Sequence, residues 1–300
     1  MGDGARTRFV EAAGVRLHCL EWGDGGDPVV LVPGGGQGAH VFRDLAPALA
    51  AERRVVAITP RAQGHSATPA DGYTVANVAA ELGAAMEALE IGRATLVAHS
   101  LGGAAAARLA ADHPGRVDGL VLLDGVNDYA GRDAVLARNP HPPPPWPLFG
   151  TRVEQRDWMR RYATGFWCDA LEADLAARPG LAEESRRLEG LVTLIHDAAD
   201  HPPPFASVRC PLLALVADES VDSQFPWLDP GDAGSRRSAE AYLRGVRGPW
   251  RRAALDRLLR QAPHARVVGV RGGHYFFLSA RDRVVDEIRA FLRSPHSPPP

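Results

Sequence analysis

Apolar residues along this chain fall into short unbroken runs, separated by longer stretches in which they recur at helical spacing. Residues 6–11 and 16–21 flank an Ala-Ala-Gly turn and predict a hairpin. Buried-strand runs follow at 29–32, 55–58, 94–97 and 119–123, with two late ones at 212–216 and 266–270. Amphipathic helices are predicted over 41–51, 75–89 and 101–112, and the last is stopped by Asp112-His113-Pro114-Gly115. A final helix is predicted over 279–292, where Val284, Val285, Ile288, Phe291 and Leu292 share one face. Strands alternating with helices predict an α/β fold, with a mostly parallel, doubly wound sheet of about eight strands.

Residues 126–207 break this rhythm. They are bracketed by His-Pro-Pro-Pro-Pro-Trp-Pro at 141–147 and His-Pro-Pro-Pro-Phe at 201–205, and between these they hold helix-forming residues with Trp158, Tyr162, Phe166 and Trp167. This predicts a helical cap inserted between two strands on stiff proline stems. The expected organisation is a core domain in two parts, 1–125 and 208–300, interrupted by a cap at 126–207. The terminal Ser-Pro-His-Ser-Pro-Pro-Pro is expected to be a frayed tail.

Composition narrows the function classes. Three hundred residues suit one large domain with an insertion. A formal net charge of −2 supplies no one-signed field to recruit nucleic acid or an anionic membrane. All 34 basic residues are arginine, a bias read first as genomic composition. Cys19, Cys168 and Cys210 are widely spaced and form no disulfide framework or CxxC pair. The start lacks the apolar run of a signal peptide, and no apolar stretch approaches the roughly 18 residues that span a bilayer. A cytoplasmic protein is the expectation.

The segment Thr95-Leu-Val-Ala-His-Ser-Leu-Gly-Gly carries the strongest chemical signal. An apolar strand runs into Ser100, and small residues then open a helix. Such a sharp turn presents the hydroxyl at the sheet's carboxyl edge and admits only small residues two positions to either side, here Ala98 and Gly102. It also aims the Leu101 N–H at a developing oxyanion. The competing reading makes Ser100 a helix N-cap.

This segment resembles the nucleophile elbow of the α/β-hydrolase superfamily, and further segments are similar in the order the family uses, over nearly the whole chain. Pro33-Gly-Gly-Gly-Gln-Gly38 resembles the oxyanion loop, with Pro33 where His is commoner. The resemblance gives the second oxyanion donor to Gly35. A dinucleotide reading of the same glycines (Gly34, Gly36, Ala39) wants an acid at the end of the next strand, which instead ends Thr59-Pro60. Arg61-Ala-Gln-Gly-His-Ser66 resembles a structural turn of the family, with Ala62 at a glycine position. His274, after the last strand, stands where the family keeps its general base.

The orienting acid departs from the family pattern. The usual position past the penultimate strand carries Ser220, with Asp218, Glu219 and Asp222 out of register. Some members take the acid from the end of the strand after the nucleophile helix, which here is Asp124. Asp124, Asp218, Asp222, Asp128 and Glu219 stay open as candidates, as does the absence of an acid.

The implied activity is hydrolysis of a carboxylic ester, lactone or thioester of a moderately hydrophobic small molecule through an acyl-enzyme. Trp158, Tyr162, Phe166 and Trp167 either line its substrate pocket or form the cap's own core. Carbon–carbon bond hydrolysis, a lyase or cyclase reaction, and a non-catalytic small-molecule receptor are the alternatives. An aspartate-nucleophile enzyme is disfavoured by Ser100. No cofactor or metal is implied, because His99, His113, His141 and His201 lack ligand spacing. The expected partner is a small-molecule substrate, not nucleic acid or membrane.

Overall fold

A computed structural model describes residues 4–127, 129–178 and 181–294. The expected tail therefore lies outside them from residue 295 onward. Eight strands form one sheet: β1 (Arg6–Ala12), β2 (Val15–Trp22), β3 (Val29–Val32), β4 (Val55–Ile58), β5 (Ala94–His99), β6 (Val117–Leu123), β7 (Leu212–Asp218) and β8 (Arg266–Arg271). Their order is β1-β2-β4-β3-β5-β6-β7-β8. The β1–β2 and β2–β4 pairs are antiparallel and all others parallel. Central strands β3, β4 and β5 are buried along their whole length. Both faces are covered, so these strands read as continuous apolar runs rather than alternating ones.

Helices fill the crossovers. The segment predicted as one helix over 41–51 is instead a 3₁₀ turn (Ala39–Phe42) followed by α1 (Ala46–Ala50). Pro47 sits in the first turn of α1, where a missing N–H costs nothing, so the helix begins there. α2 (Val75–Ala88) starts at Thr74, whose side chain accepts from the Asn77 N–H. α3 (Leu101–Asp112) has the predicted bounds. It lies tight on the sheet: a Cβ at Gly102 would come within 2.4 Å of the Pro33 carbonyl oxygen, and one at Gly103 within 2.8 Å of that of Gly125.

Between β6 and β7 come α4 (Arg132–Ala137), α5 (Arg152–Trp158), a π-turn (Met159–Thr164), α6 (Asp169–Ala176) and α7 (Leu181–Asp200). A capping box of Thr151 and Glu154 starts α5. The β7–β8 crossover holds α8 (Val221–Gln224), α9 (Ala233–Tyr242) and α10 (Gly248–Gln261), which the sequence pattern did not reveal. Of α10, only Ala254 and Leu258 are buried, so its apolar stripe is too thin to read among six charged and polar neighbours. The chain closes with α11 (Phe276–Ser279) and α12 (Arg281–Arg293), in place of the single predicted helix. No helix among the described residues is long and apolar enough to cross a membrane.

Candidate active site

Two neighbouring strands end in the same unusual way. Ser100, just past β5, has φ +50° and ψ −124°, and Asp124, just past β6, has φ +49°. Non-glycine residues at positive φ each cost on the order of 1–3 kcal/mol and persist only where surrounding structure enforces them. Here the sheet does so. The Ser100 N–H donates to the Leu123 carbonyl at 3.0 Å, and the Asp124 N–H to that of Leu215 at 2.8 Å. Both side chains are thereby lifted off the carboxyl edge, one strand apart.

The His274 imidazole closes the constellation. Its Nε2 lies 2.9 Å from Ser100 Oγ and its Nδ1 2.7 Å from Asp124 Oδ2. Asp124 is fully buried. Its Oδ1 accepts from the Ala217 N–H at 3.1 Å, and the Arg251 guanidinium of α10 binds both its oxygens, at 2.7 and 3.1 Å. Burial raises the carboxyl, but the Arg251 charge and the hydrogen bond and charge of His274 outweigh it and hold it well below the usual carboxylate range. The other candidate acids are engaged elsewhere or stand apart. Glu219 is gripped by Arg247 at 2.8 Å and by Arg251 at 3.1 Å, Asp222 pairs with Arg236, and Asp218 is exposed at the end of β7. Asp128 lies outside the described residues.

The loop after β3 packs directly on the nucleophile turn. A Cβ at Gly34 would lie 3.0 Å from that of Ser100, and one at Gly35 only 2.8 Å from Leu191 and 3.2 Å from Leu101. Only glycine fits. The Gly34 N–H donates to Gln37 Oε1, that of Gln37 to Gln63 Oε1, that of Gly38 to Asp174 Oδ1 and that of Ala39 to Thr59 Oγ1. The N–H groups of Gly35 and Leu101 have no acceptor among the described residues. Two orphan donors beside Ser100 are what a tetrahedral oxyanion needs. The family's His at position 33 is not missed, because Gln37 anchors the loop instead.

Four groups that sequence reasoning did not single out shape this site. Arg251 is one. Tyr129 is another: it is buried at φ +58°, its hydroxyl 3.3 Å from Ser100 Oγ. Burial pushes its phenol up to about 12, so at neutral pH it is protonated. His99 is buried, with Nε2 3.0 Å from the His274 carbonyl oxygen and the Gln37 amide 2.9 Å from Nδ1. Burial and the neighbouring His274 lower it to about 3, so it is neutral. Asp174 of α6 ties the inserted segment to the loop at Gly38. Burial lifts its carboxyl to about 7, against the pull of Arg178 and the Gly38 N–H. No local pattern marked any of the four, since each gains its meaning from a residue far along the chain.

Asp174 gives a prediction whose sign can be worked out. The native carboxyl titrates near 7 and the unfolded one near 3.9, so native protein binds more protons between these values and loses stability as pH rises through them. Asp174→Asn keeps an oxygen for Gly38 but cannot ionise. The variant is expected to be more stable than wild type at pH 8, by about 1–3 kcal/mol relative to the difference at pH 4. Urea titrations at the two pH values decide it, and a pH-independent difference rejects it.

Beneath the inserted helices lies a cavity of about 330 Å³, whose walls include Gly35, Trp146, Trp158, Met159, Leu191 and Tyr275. Of the four aromatics singled out from sequence, Trp158 lines it. Tyr162 lies between Trp158 and Trp227 with its ring tilted against both, while Phe166 and Trp167 pack onto the core through the inserted segment. Those three are absent from the cavity wall. Among the described residues no group of three potential metal ligands comes together.

A family model for the alpha/beta hydrolase fold matches residues 27–162. The chain is 36% identical over 141 residues to 2-hydroxymuconate semialdehyde hydrolase of Pseudomonas sp. (strain CF600), covering 44% of this chain and 50% of that one. It is 32% identical over 134 residues to the fluoroacetate dehalogenase of a Burkholderia species, covering 43% and 44%. The match thus spans half or less of these relatives. The crystal structure of E-2-(acetamidomethylene)succinate hydrolase superposes with a TM-score of 0.69 at 20% identity, over 97% of this chain and all of that one. With the strand order and crossovers above, these show that the chain has the α/β-hydrolase fold.

Proposed function

We propose that the chain is a serine hydrolase acting on a carboxylic ester, lactone or thioester with an uncharged, moderately hydrophobic acyl group. The observation that carries this reading is the unbroken line from Ser100 Oγ through His274 to a carboxylate, at 2.9 and 2.7 Å. His274 Nε2 takes the hydroxyl proton as Oγ attacks the carbonyl carbon, and Asp124 fixes the tautomer and stabilises the imidazolium. The Gly35 and Leu101 N–H groups bind the oxyanion. Collapse expels an alcohol or thiol, which receives the proton from His274. Water, deprotonated by the same imidazole, then releases the acid and restores Ser100.

Two arginines reach the cavity, yet both bind protein acceptors. Arg187 donates to the carbonyls of Gly64 and Ser66, and Arg178 to that of Gly36 and to Glu184. That supports a neutral acyl group. Carbon–carbon hydrolysis is the second reading. The semialdehyde named for the Pseudomonas relative contains no ester, so its hydrolysis breaks a carbon–carbon bond and its substrate carries a carboxylate. Arg178 Nε, buried and without a hydrogen-bond partner, is the group that favours this reading.

Incubation with a fluorophosphonate, intact-mass measurement and peptide mapping test the first step. One adduct on Ser100, lost in His274→Ala, is expected, and a folded protein that takes no adduct overturns the mechanism. A panel of neutral esters, lactones and thioesters against oxo-dienoic acids then separates the two readings. Tyr129→Phe removes the hydroxyl facing Ser100. It is expected to lower kcat about tenfold with little change in KM, since the contact is long and serves the reacting oxygen. An unchanged kcat assigns Tyr129 to packing alone.

A further inference from the structure

The loop that carries the Gly35 donor begins Gly34-Gly35-Gly36, three residues of the type with the widest backbone freedom. Gly36 uses that freedom, at φ +76°. An oxyanion donor accelerates acyl transfer only if it points the right way before charge develops. The direction of the Gly35 N–H is therefore set by the bonds that hold the loop on either side of it.

On one side these bonds come from the core. The Gly34 N–H donates to Gln37 Oε1, and the Gly34 carbonyl accepts from the Gln37 N–H at 3.2 Å, which also donates to Gln63 Oε1. On the other side they come from the inserted segment. Asp174 Oδ1, near the end of α6, accepts from the Gly38 N–H at 2.7 Å. Arg178, one helical turn further on, donates to the Gly36 carbonyl at 3.1 Å. Arg178 is itself fixed by Glu184 of α7 at 3.2 Å and by Trp146, whose ring centroid lies 4.9 Å from the guanidinium carbon. Leu191 of α7 closes against the same loop, 2.8 Å from where a Cβ on Gly35 would stand. Asp174 is 3% exposed and lies off the cavity wall. Burying a carboxyl is costly without a hydrogen-bond partner, and its partner here is the loop backbone.

We propose that Asp174 and Arg178 are positioning residues for the oxyanion hole, so that the inserted helices must be seated for the Gly35 donor to be in place. Both act through the loop. Their part in catalysis rests on the hydrolase reading, and their grip on the loop does not.

Amide hydrogen exchange of the full chain, read by mass spectrometry on peptides spanning residues 34–38, tests the grip without a substrate. Asp174→Ala removes the acceptor, whereas Asp174→Asn keeps an oxygen for the Gly38 N–H. The alanine variant is expected to exchange about tenfold faster in the loop with β5 unchanged, and the asparagine variant to match wild type. Arg178→Met should reproduce the faster exchange. Loop exchange that is alike in wild type, Asp174→Ala and Arg178→Met overturns the proposal. In Asp174→Ala, kcat for an ester should fall about tenfold with KM nearly unchanged, and affinity for a trifluoromethyl ketone of the same acyl group should fall by a like factor. Asp174→Asn should restore both. A KM that rises while kcat holds overturns the positioning role, because Asp174 then only seats the inserted helices over substrate. A wild-type chain that takes no fluorophosphonate adduct overturns the catalytic role together with the hydrolase reading, while unchanged loop exchange overturns the grip and leaves that reading standing.

Discussion

Ser100→Ala is expected to lower kcat for ester hydrolysis by about a millionfold, the cost typical of removing a triad nucleophile. The residual rate would come from the Gly35 and Leu101 donors and from substrate binding. His274→Ala is expected to cost nearly as much, and the double variant no more than either single one, because the two groups act as one unit. The fold should survive. Alanine tolerates φ +50° no better and no worse than serine, and the backbone bond from Ser100 to Leu123 does not involve the hydroxyl. Single-turnover rates with a chromogenic ester, alongside a thermal melt, make the check. A Ser100→Ala protein that keeps a tenth of the wild-type rate sinks the acyl-enzyme.

Asp124→Asn is expected to cost about 10⁴ in kcat. An amide in this place can donate to His274 Nδ1, which moves the imidazole proton to Nε2 and removes the base facing Ser100. Stability should fall too, by roughly 1–3 kcal/mol, because Arg251 loses the fully buried one of its two counter-charges and keeps only Glu219. A near-wild-type rate would pass the acid's role to another carboxylate, and none of those described is within reach of Nδ1. The native carboxyl lies below its unfolded range, so its stabilising contribution is present above about pH 4 and fades only as pH falls further. Arg251→Met removes the main opposing charge and leaves the burial. Activity in that variant is expected to fail at a higher pH than in wild type.

Much of this was legible in the chain because the relevant signals are local. Six strands announced themselves as short apolar runs and the first two as a hairpin about the Ala-Ala-Gly turn, and β3, β4 and α3 carry the predicted bounds. Ser100 and Gly35 sit in turns whose glycines are forced by contacts closer than 3 Å, so the requirement is written into neighbouring positions. The acid was not legible. Asp124, Asp218 and Asp222 are each one acidic residue near a strand end, and what separates them is the presence of Arg251, 127 positions from Asp124. The aromatics of the inserted segment were legible only in part, for a related reason: Trp158 lines the cavity and the other three do not. Helical spacing gives Trp158, Tyr162, Phe166 and Trp167 equal claims, but which face meets the cavity depends on the π-turn at Met159–Thr164, which no spacing encodes.

The paired turns past β5 and β6 bear on how the protein should behave when warmed. Ser100 and Asp124 are held one inter-strand spacing apart by the central ladder, so the ladder works as a ruler whose graduation can change only if the core itself comes apart. His274 stands on the connection between β8 and α11, and its backbone is tied to that ladder by one side-chain bond, from the His99 ring to its carbonyl. Thermal agitation therefore acts most on one member of the three. Inactivation on heating should begin as a loosening of that connection, reversible on cooling, at temperatures where the sheet is still intact.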